Sequence, residues 1–121
     1  MRRRILMWVL LIASIGANAQ VADQVLLQTC QSCHAIYTDD AQGIGPSLVK
    51  LMNRPAGSLK NYPYSKALSD ADFQWNPGTL RVWIKHTESM VPGTFMRYQN
   101  NLSDEEVERL IKLLSHKQSQ D

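Results

Sequence analysis

The chain has 121 residues, which is the length of one domain. It carries 13 basic and 11 acidic residues, and three of the basic ones stand together at positions 2–4. The rest of the chain therefore holds ten basic residues against 11 acidic ones. A nucleic-acid-binding protein needs a basic surface that replaces counterions, so this balance argues against a nucleic-acid partner.

The first 19 residues have the pattern of a targeting segment. Three arginines precede an almost wholly apolar run of 11 residues, 5–15, and Ala17-Asn18-Ala19 places small residues at both positions that a signal peptidase reads. Such a run is shorter than the roughly 20 residues that span a bilayer. We therefore expect residues 1–19 to be a cleaved signal peptide and residues 20–121 to be one domain in the periplasm or otherwise exported. The alternative is an uncleaved N-terminal membrane anchor.

The first helix of the exported part is predicted from about Ala22 to Cys33. Its expected inner face consists of residues at helical spacing: Val25, Leu26, Thr29, Cys30 and Cys33. Glycines and prolines then predict a long irregular stretch from about Tyr37 to Gln74. A short helical turn is expected within it, around Ser65 to Ser69.

The second main helix is predicted to begin at Asn76-Pro77, because asparagine caps free amide groups and proline fits the first helical position. The last helix is predicted to begin with a capping box made by Ser103 and Glu106. The buried stripes expected on these two helices are Leu80, Trp83, Ile84 and Thr87, then Val107, Leu110, Ile111 and Leu114. Because no alternating strand pattern is present, we expect an all-α domain whose long loops are organised by a group bound inside.

The segment Cys30-Gln31-Ser32-Cys33-His34 has the pattern of a c-type haem attachment motif. Thiols three residues apart on a helical turn lie on the same face, where each can add to one haem vinyl group, and the following histidine points at the iron. Other interpretations of the cysteines are open at this point. A zinc site needs four ligands, and only His86 and His116 remain to supply them. A thioredoxin-like pair needs an α/β fold, and a plain disulfide would suit an exported chain.

A histidine on the iron leaves the sixth coordination position to be filled. Met96 is the candidate, because the tight turn at Pro92-Gly93 can carry its thioether sulfur over the open face of the haem. A methionine beside aromatic residues also commonly fills a core. Met52 and Met90 are competitors, and the residues alone do not separate the three.

On these motifs the chain resembles a class I cytochrome c of the mitochondrial type. Residues 30–34 match that family's attachment motif, Gly45-Pro46-Ser47-Leu48 its Gly-Pro-x-Leu segment, and residues 92–96 its methionine loop. The separation of 62 residues between His34 and Met96 also aligns without a gap. The resemblance implies the class I fold, in which three main helices and long loops surround one haem c attached through Cys30 and Cys33.

The resemblance also implies roles for single residues. His34 and Met96 would be the axial ligands, and the Pro46 carbonyl would accept a hydrogen bond from the other ring nitrogen of His34. Trp83 stands where the family has a tyrosine that hydrogen-bonds the methionine sulfur. The residues that fall where the family places donors to the haem propionates are Arg54, Tyr62, Tyr64 and Trp75.

Some positions depart from the family's pattern. Ala22 and Leu26 replace a glycine and an aromatic ring, so the crossing of the first and last helices is expected to differ in detail. Phe95 stands where the eukaryotic members carry a lysine. We therefore expect docking through a partly apolar contact near Phe95, Arg97 and Tyr98.

By this resemblance we expect a soluble, monomeric one-electron carrier, and not an enzyme. Its partners would be redox proteins such as a membrane oxidase, a reductase or a dehydrogenase. Two other classes stay open on the sequence. One is a haem enzyme or ligand sensor with a weakly held sixth position, and the other is a dedicated subunit of a larger membrane oxidoreductase.

Overall fold

A computed structural model describes residues 18–38 and 43–116, and these residues form four helices joined by long loops. Helix α1 covers residues 18–31, α2 covers Lys66–Ser69, α3 covers Pro77–Met90 and α4 covers Asp104–His116. No strand is present in these two ranges, where one isolated antiparallel bridge pairs Pro55 with Gln74. The predicted all-α class is confirmed.

Helix α1 differs from its prediction at both ends. It is already helical at residue 18, the first described residue, and it ends at residue 31, before the predicted end at Cys33. The predicted signal peptide, residues 1–19, lies outside the described residues except for its last two. Residues 117–121 of the predicted domain also lie outside them. None of the helices found in the described part of the chain has the length and apolar character needed to cross a membrane.

The inner face of α1 was predicted wrongly at Val25, which is 58% exposed. Leu26 and Leu27 are the buried pair instead. Leu27 and Cys30 are one turn apart, and the helix points this side toward the core. A one-residue error in choosing the centre of a helix face rotates the expected stripe by about 100°, which is enough to exchange Val25 for Leu27.

The starts of α3 and α4 agree with the capping prediction. The Thr79 amide donates to Asn76 Oδ1 at 3.0 Å and the Asn76 amide donates to Thr79 Oγ1 at 2.9 Å, with Pro77 in the first turn. At α4 the Glu106 amide donates to Ser103 Oγ at 3.2 Å and the Ser103 amide donates to Glu106 Oε2 at 2.8 Å. The short helix α2 has a single cap bond, in which Ser65 Oγ accepts from the Leu68 amide at 3.1 Å.

Buried side chains of α1, α3 and α4 form one hydrophobic cluster. Leu110 of α4 is 0% exposed and Val107 is 1% exposed, so α4 contributes the most completely buried residues. Both predicted stripes are buried in full: Leu80, Trp83, Ile84 and Thr87 on α3, and Val107, Leu110, Ile111 and Leu114 on α4.

Exposed ion pairs join the same helices at their outer edges. Arg81 pairs with Glu108 and Lys85 pairs with Asp104 between α3 and α4, and Arg109 pairs with Asp23 of α1. Hydrogen bonds from Arg81 and Lys85 lower the pKa values of Glu108 and Asp104. These carboxyl pKa values are lower in the folded chain than in the unfolded chain. The ion pairs therefore stabilise the folded chain at pH values above the unfolded-state pKa, and this stabilisation is lost as the pH falls through the folded-state pKa.

Helix α3 is kinked at His86, whose φ of −144° and ψ of 49° are not helical. The Thr87 hydroxyl donates to the Trp83 carbonyl at 2.6 Å, and hydrogen bonds of this kind bend helices. Beyond the helix, the side-chain amide of Asn100 donates to the Ile84 carbonyl at 3.0 Å. Two backbone carbonyls near the kink, those of Trp83 and Ile84, therefore accept hydrogen bonds from side chains, one on α3 and one on the loop that follows it.

Leu110→Ala should lower the free energy of unfolding by about 2–5 kcal/mol, because it removes buried methyl groups and leaves a cavity. Val25→Ala is the control, since its side chain is largely exposed and surface substitutions usually change stability by less than about 0.5 kcal/mol. Denaturant unfolding of both variants measures the difference. Equal losses would show that the helices do not pack around Leu110.

Candidate functional site

The two cysteines of the motif lie where α1 ends. The Cys33 and His34 amides both donate to the Cys30 carbonyl, at 3.1 and 2.9 Å, so the chain makes one more helical turn after residue 31. The two cysteines do not form a disulfide with each other. Burial, and then the neighbouring Cys33, raise the pKa of the Cys30 thiol to about 11, so Cys30 is protonated at neutral pH. Among the described residues, no three His, Cys, Asp or Glu side chains come together, so the ligand set of a zinc site is not assembled there.

The imidazole of His34 is fixed by a single hydrogen bond to the Pro46 carbonyl. Its Nδ1 lies 2.7 Å from that oxygen, which is the contact that the family resemblance implies. A carbonyl can only accept, so Nδ1 carries the proton and Nε2 keeps a free lone pair. Burial lowers the pKa of His34, although the bond to Pro46 opposes this shift. The ring is therefore set up as a neutral ligand that can bind a metal through Nε2.

The loop that supplies Pro46 is tied to the cysteine segment by its backbone. The Gly45 amide donates to the Cys33 carbonyl at 2.8 Å, and the Leu48 amide donates to the Ala35 carbonyl at 2.8 Å. A Cβ atom on Gly45 would lie 2.3 Å from Cε1 of His34, which is far inside van der Waals contact. Glycine is required at position 45 because the backbone passes directly against the ligand ring.

The ten residues predicted for the cofactor site line one cavity of about 320 Å³, a volume at the lower end of small-molecule sites. They are Cys30, Cys33, His34, Pro46, Arg54, Tyr62, Tyr64, Trp75, Trp83 and Met96. The two competing methionines, Met52 and Met90, are not part of this lining. The remaining walls are mainly apolar and come from the loops and from α2, α3 and α4: Leu48, Leu51, Leu68, Leu80, Ile84, Leu110 and Leu114.

Met96 is carried to the cavity by a tight turn. The Thr94 amide donates to the Val91 carbonyl at 3.1 Å, with Pro92 and Gly93 between them and a φ of +90° at Gly93. This is the arrangement of a type II turn, which needs a positive φ at its third residue and so favours glycine there. Val91 and Thr94 are buried, and they anchor the turn two residues before Met96.

Polar side chains gather at another part of the cavity. The Arg54 guanidinium donates to the Val49 carbonyl at 3.1 Å and to the Ser47 carbonyl at 2.8 Å. The Tyr62 hydroxyl donates to the Ile44 carbonyl at 2.6 Å. Because Arg54 is half-buried and positively charged, this part of the cavity favours an anionic group.

Aromatic rings form the wall beside this polar group. Trp75 is buried, and its ring lies edge-on to that of Trp83 with centroids 5.3 Å apart. Tyr62 and Tyr64 are likewise edge-on at 4.8 Å. Burial raises the pKa of Tyr64, so its hydroxyl stays protonated and able to donate.

These residues fit a haem of the c type. The apolar walls suit the macrocycle, and the two thiols with the imidazole supply two attachment points and one nitrogen ligand at the same side. Arg54 and the tyrosines suit its two carboxylates, which would be unfavourable in an apolar cavity without such partners. The set combines a soft sulfur, a neutral imidazole and an apolar surround, which is the donor chemistry that iron in haem takes.

Besides these ten residues and the apolar walls, the lining includes residues that were not predicted for the cofactor site, and Ile44 and Tyr98 are two of them. Ile44 is 80% exposed and adjoins Gly45. Its backbone carbonyl accepts a hydrogen bond from the Tyr62 hydroxyl, which is distant in sequence, and this bond holds Ile44 at the cavity. Tyr98 was predicted only for docking, but its hydroxyl is buried and faces Thr29 and Cys30. Burial raises the pKa of Tyr98. The proximity of Tyr98 to Met96 in sequence was the available indication that it lies here.

The chain matches the family model described as Cytochrome c over residues 20–118. It is 33% identical to a cytochrome c of Gibberella zeae over 83 residues, which cover 69% of this chain and 78% of that protein. It is 34% identical to cytochrome c2 of Rhodoblastus acidophilus over 77 residues, 64% of this chain and 72% of that one. Among solved structures, cytochrome cH from Methylobacterium extorquens superposes with a TM-score of 0.70 at 26% identity, covering 79% of this chain and 96% of that chain.

Gly45→Ala should push the His34 ring away from its position beside Pro46, because the added Cβ overlaps the ring. Overpacking of this kind lowers the free energy of unfolding by about 1–3 kcal/mol. Gly78→Ala is the matched control. Its Cβ would meet only Asn76 Oδ1, at 3.2 Å, so the end of that side chain must shift slightly, and alanine is favoured over glycine in a helix by about 1 kcal/mol. Haem content per chain and denaturant unfolding measure both variants. Equal behaviour would contradict the close approach at Gly45.

Proposed function

The chain belongs to the cytochrome c family, and we propose that it carries electrons through one haem whose iron is bound by His34 and Met96. As in that family, the cofactor is haem c, attached through Cys30 and Cys33, and the protein is an electron carrier and not an enzyme. The observation that carries the ligand proposal is that His34 and Met96 line the same cavity, whereas Met52 and Met90 do not.

Haem c supplies an iron atom that cycles between two oxidation states. The protein's part is to hold the surroundings constant. The Pro46 carbonyl fixes the plane and tautomer of His34, and the turn at Gly93 fixes the approach of Met96. Ligation by histidine and methionine raises the reduction potential relative to two imidazoles. Apolar side chains around both ligands exclude water. Little solvent therefore has to reorient when the charge of the iron changes.

The propionate contacts are also part of the proposal. Arg54, Tyr62 and Tyr64 stand at the polar part of the cavity, and Trp75 is beside them. Arg54 is held in place by two backbone carbonyls of residues 47–49, so its charge is oriented before any ligand is present. This arrangement supports a role in neutralising two carboxylates that would otherwise be buried without partners.

Trp83 is proposed to close the cavity near Met96. It is 6% exposed, it lines the cavity, and its carbonyl accepts the Thr87 hydroxyl next to the kink. An indole N–H can donate but cannot accept, so Trp83 would offer at most one hydrogen bond toward a sulfur atom. The ring also adds apolar surface against the haem.

Members of this family exchange electrons with redox proteins, and the particular partners are a proposal. We place the protein outside the cytoplasmic membrane, because residues 1–19 have the composition of a signal peptide, and we propose that it acts there as a soluble monomer. A membrane oxidase, a reductase or a dehydrogenase would then be its partner. Two relatives, cytochrome c2 of Rhodoblastus acidophilus and cytochrome c-550 of Bradyrhizobium diazoefficiens, are bacterial members of the same family.

Docking is proposed at the rim of the cavity where apolar side chains are exposed. Phe95 is 73% exposed and Ile44 is 80% exposed, and both line the cavity. Arg97 is the charged residue of the same loop, and it pairs with Glu88 at 3.6 Å. A partner that approaches this rim would meet apolar surface and a partly neutralised charge.

The sixth ligand is tested by replacing each candidate methionine. The wild-type ferric protein should show the weak long-wavelength absorption band of a thioether bound to iron. Met96→Ala should abolish the band and let the reduced protein bind carbon monoxide. Met96→His should lower the reduction potential, because imidazole donates more electron density to ferric iron than a thioether does.

Met52→Ala and Met90→Ala are the matched controls. Both should keep the band, with a loss of unfolding free energy of at most about 2–5 kcal/mol. Loss of the band in Met90→Ala with retention in Met96→Ala would show that the ligand assignment is wrong. A wild type that lacks the band and binds carbon monoxide would favour a ligand sensor instead.

Electron transfer to membranes from the organism that makes this protein should weaken only modestly with salt. The reason is that apolar side chains dominate the rim, and exposed charges are already screened within about 10 Å at 0.1 M salt. Phe95→Lys is the comparison variant, because it restores a cationic rim and should steepen the salt dependence. Second-order rates measured against ionic strength test this. A fall of several decades for the wild type would show that charge governs docking.

A further inference from the structure

Asn100 uses both halves of its side-chain amide. Its Nδ2 donates to the Ile84 carbonyl at 3.0 Å, and its Oδ1 accepts from the Leu102 amide at 3.1 Å. The residue is half-buried, whereas the neighbouring Asn101 is exposed. The two successive asparagines therefore occupy different environments. Of the two, only Asn100 connects α3 with the loop through its side chain.

The oxygen that Asn100 reaches is next to the break in α3. In an unbroken helix the Ile84 carbonyl accepts from the amide of residue 88. The non-helical residue His86 lies between these two positions, so the kink reorients the backbone there. The Asn100 amide donates to this carbonyl from outside the helix, so the loop is attached at the kink.

This bond joins one wall of the cavity to the loop that carries Met96. Ile84 is 5% exposed and lines the cavity from α3, and Met96 lines it from the loop. Asn100 follows Met96 by four residues and precedes Ser103, the cap of α4, by three. The segment 97–102 therefore has fixed points at the α4 capping box and at the kink of α3.

The loop has a second link to α3, but it is weaker. Arg97 pairs with Glu88 at 3.6 Å, and the Arg97 side chain is 80% exposed. Exposed pairs of this kind contribute little, because water and salt screen them. On the other side of Met96, the turn from Val91 to Thr94 is anchored by its own hydrogen bond. Of the two contacts that join α3 to the chain after Met96, the one made by Asn100 is therefore the less exposed.

We propose that Asn100 is a positioning residue for the sixth ligand. Its bond to the Ile84 carbonyl holds the loop after Met96 against the kinked part of α3 and so keeps the methionine sulfur over the haem face. Without the bond, the loop swings away more readily and the iron becomes open to added ligands. The inference rests on the proposed ligation of the iron by Met96.

Imidazole binding to the ferric haem-loaded protein tests this proposal, since imidazole must displace Met96. Asn100→Ala should raise the apparent affinity for imidazole roughly two- to tenfold, which is the range expected for one hydrogen bond. Asn100→Asp keeps the shape and the acceptor toward Leu102, but as a carboxylate it cannot donate to Ile84. It should raise the affinity at least as much.

Two controls separate positioning from general stability. Asn101→Ala changes an exposed neighbour and should leave imidazole affinity unchanged. Asn76→Ala removes the cap at the far end of α3 and lowers stability without touching the loop, so it should also leave the affinity near the wild-type value. Hydrogen exchange of the Leu102 amide should speed up in Asn100→Ala and stay slow in Asn100→Asp, which identifies the half of the amide that each variant removes.

The outcomes that overturn the proposal are distinct from those that overturn the ligand assignment. If the wild type shows the methionine–iron band but both Asn100 variants bind imidazole no more tightly than Asn101→Ala, Asn100 does not position the ligand. If Asn100→Asp alone behaves as the wild type, the donor to Ile84 is not the relevant bond and the proposal fails. A wild type without the band would overturn the ligation by Met96 and this inference with it.

Discussion

The hydrogen bond between His34 Nδ1 and the Pro46 carbonyl is the constraint on which the site depends. It decides which ring nitrogen carries the proton and therefore which one can bind iron. To make it, the loop before Pro46 must run directly against the ring, and this requires glycine at position 45. The backbone bonds from Gly45 and Leu48 to the cysteine segment then hold the loop in that place. One contact thus determines the path of the chain on the histidine side of the site.

The hydrophobic core and the cofactor cavity share residues. Leu68, Leu80, Leu110 and Leu114 belong to the buried cluster and also line the cavity. A chain of this size buries a smaller fraction of its surface than a larger domain does. Haem c would add apolar surface beside these same leucines, so binding of the cofactor and packing of the helices would stabilise one another. Covalent attachment through Cys30 and Cys33 keeps this added core in place.

Helix α3 connects the two sides of the site. Its inner face supplies Leu80, Trp83 and Ile84 to the cavity, and its kink supplies carbonyl oxygen to Thr87 and Asn100. At His86 the backbone departs from the regular helix, and the nearby Ile84 carbonyl accepts from a side chain outside the helix. The loop of residues 97–102 is thus attached to α3 beside the irregular backbone at His86.

The sequence by itself determined the features that depend on residues close together in the chain. The cap at Asn76, the capping box at Ser103 and the buried stripes of α3 and α4 follow from residues close together in the sequence, and all of them are present in the structure. The attachment motif and the turn at Pro92-Gly93 are also local. Through the resemblance, the motifs led to the correct family and to ten residues that line one cavity.

Only the tertiary structure decided the features that join distant segments. The residues alone did not separate Met96 from Met52 and Met90, and only the resemblance favoured Met96; in the structure Met96 lines the cavity, whereas Met52 and Met90 do not. The tertiary structure replaced Val25 by Leu27 on the inner face of α1, because the direction of that face depends on what the helix packs against. The contact of Asn100 with Ile84 spans 16 residues and depends on a kink that no local pattern announced. Local hydrogen bonds and helical periodicity depend on neighbouring residues and can be read from the sequence. The arrangement of loops around a cofactor depends on the packing of the whole chain.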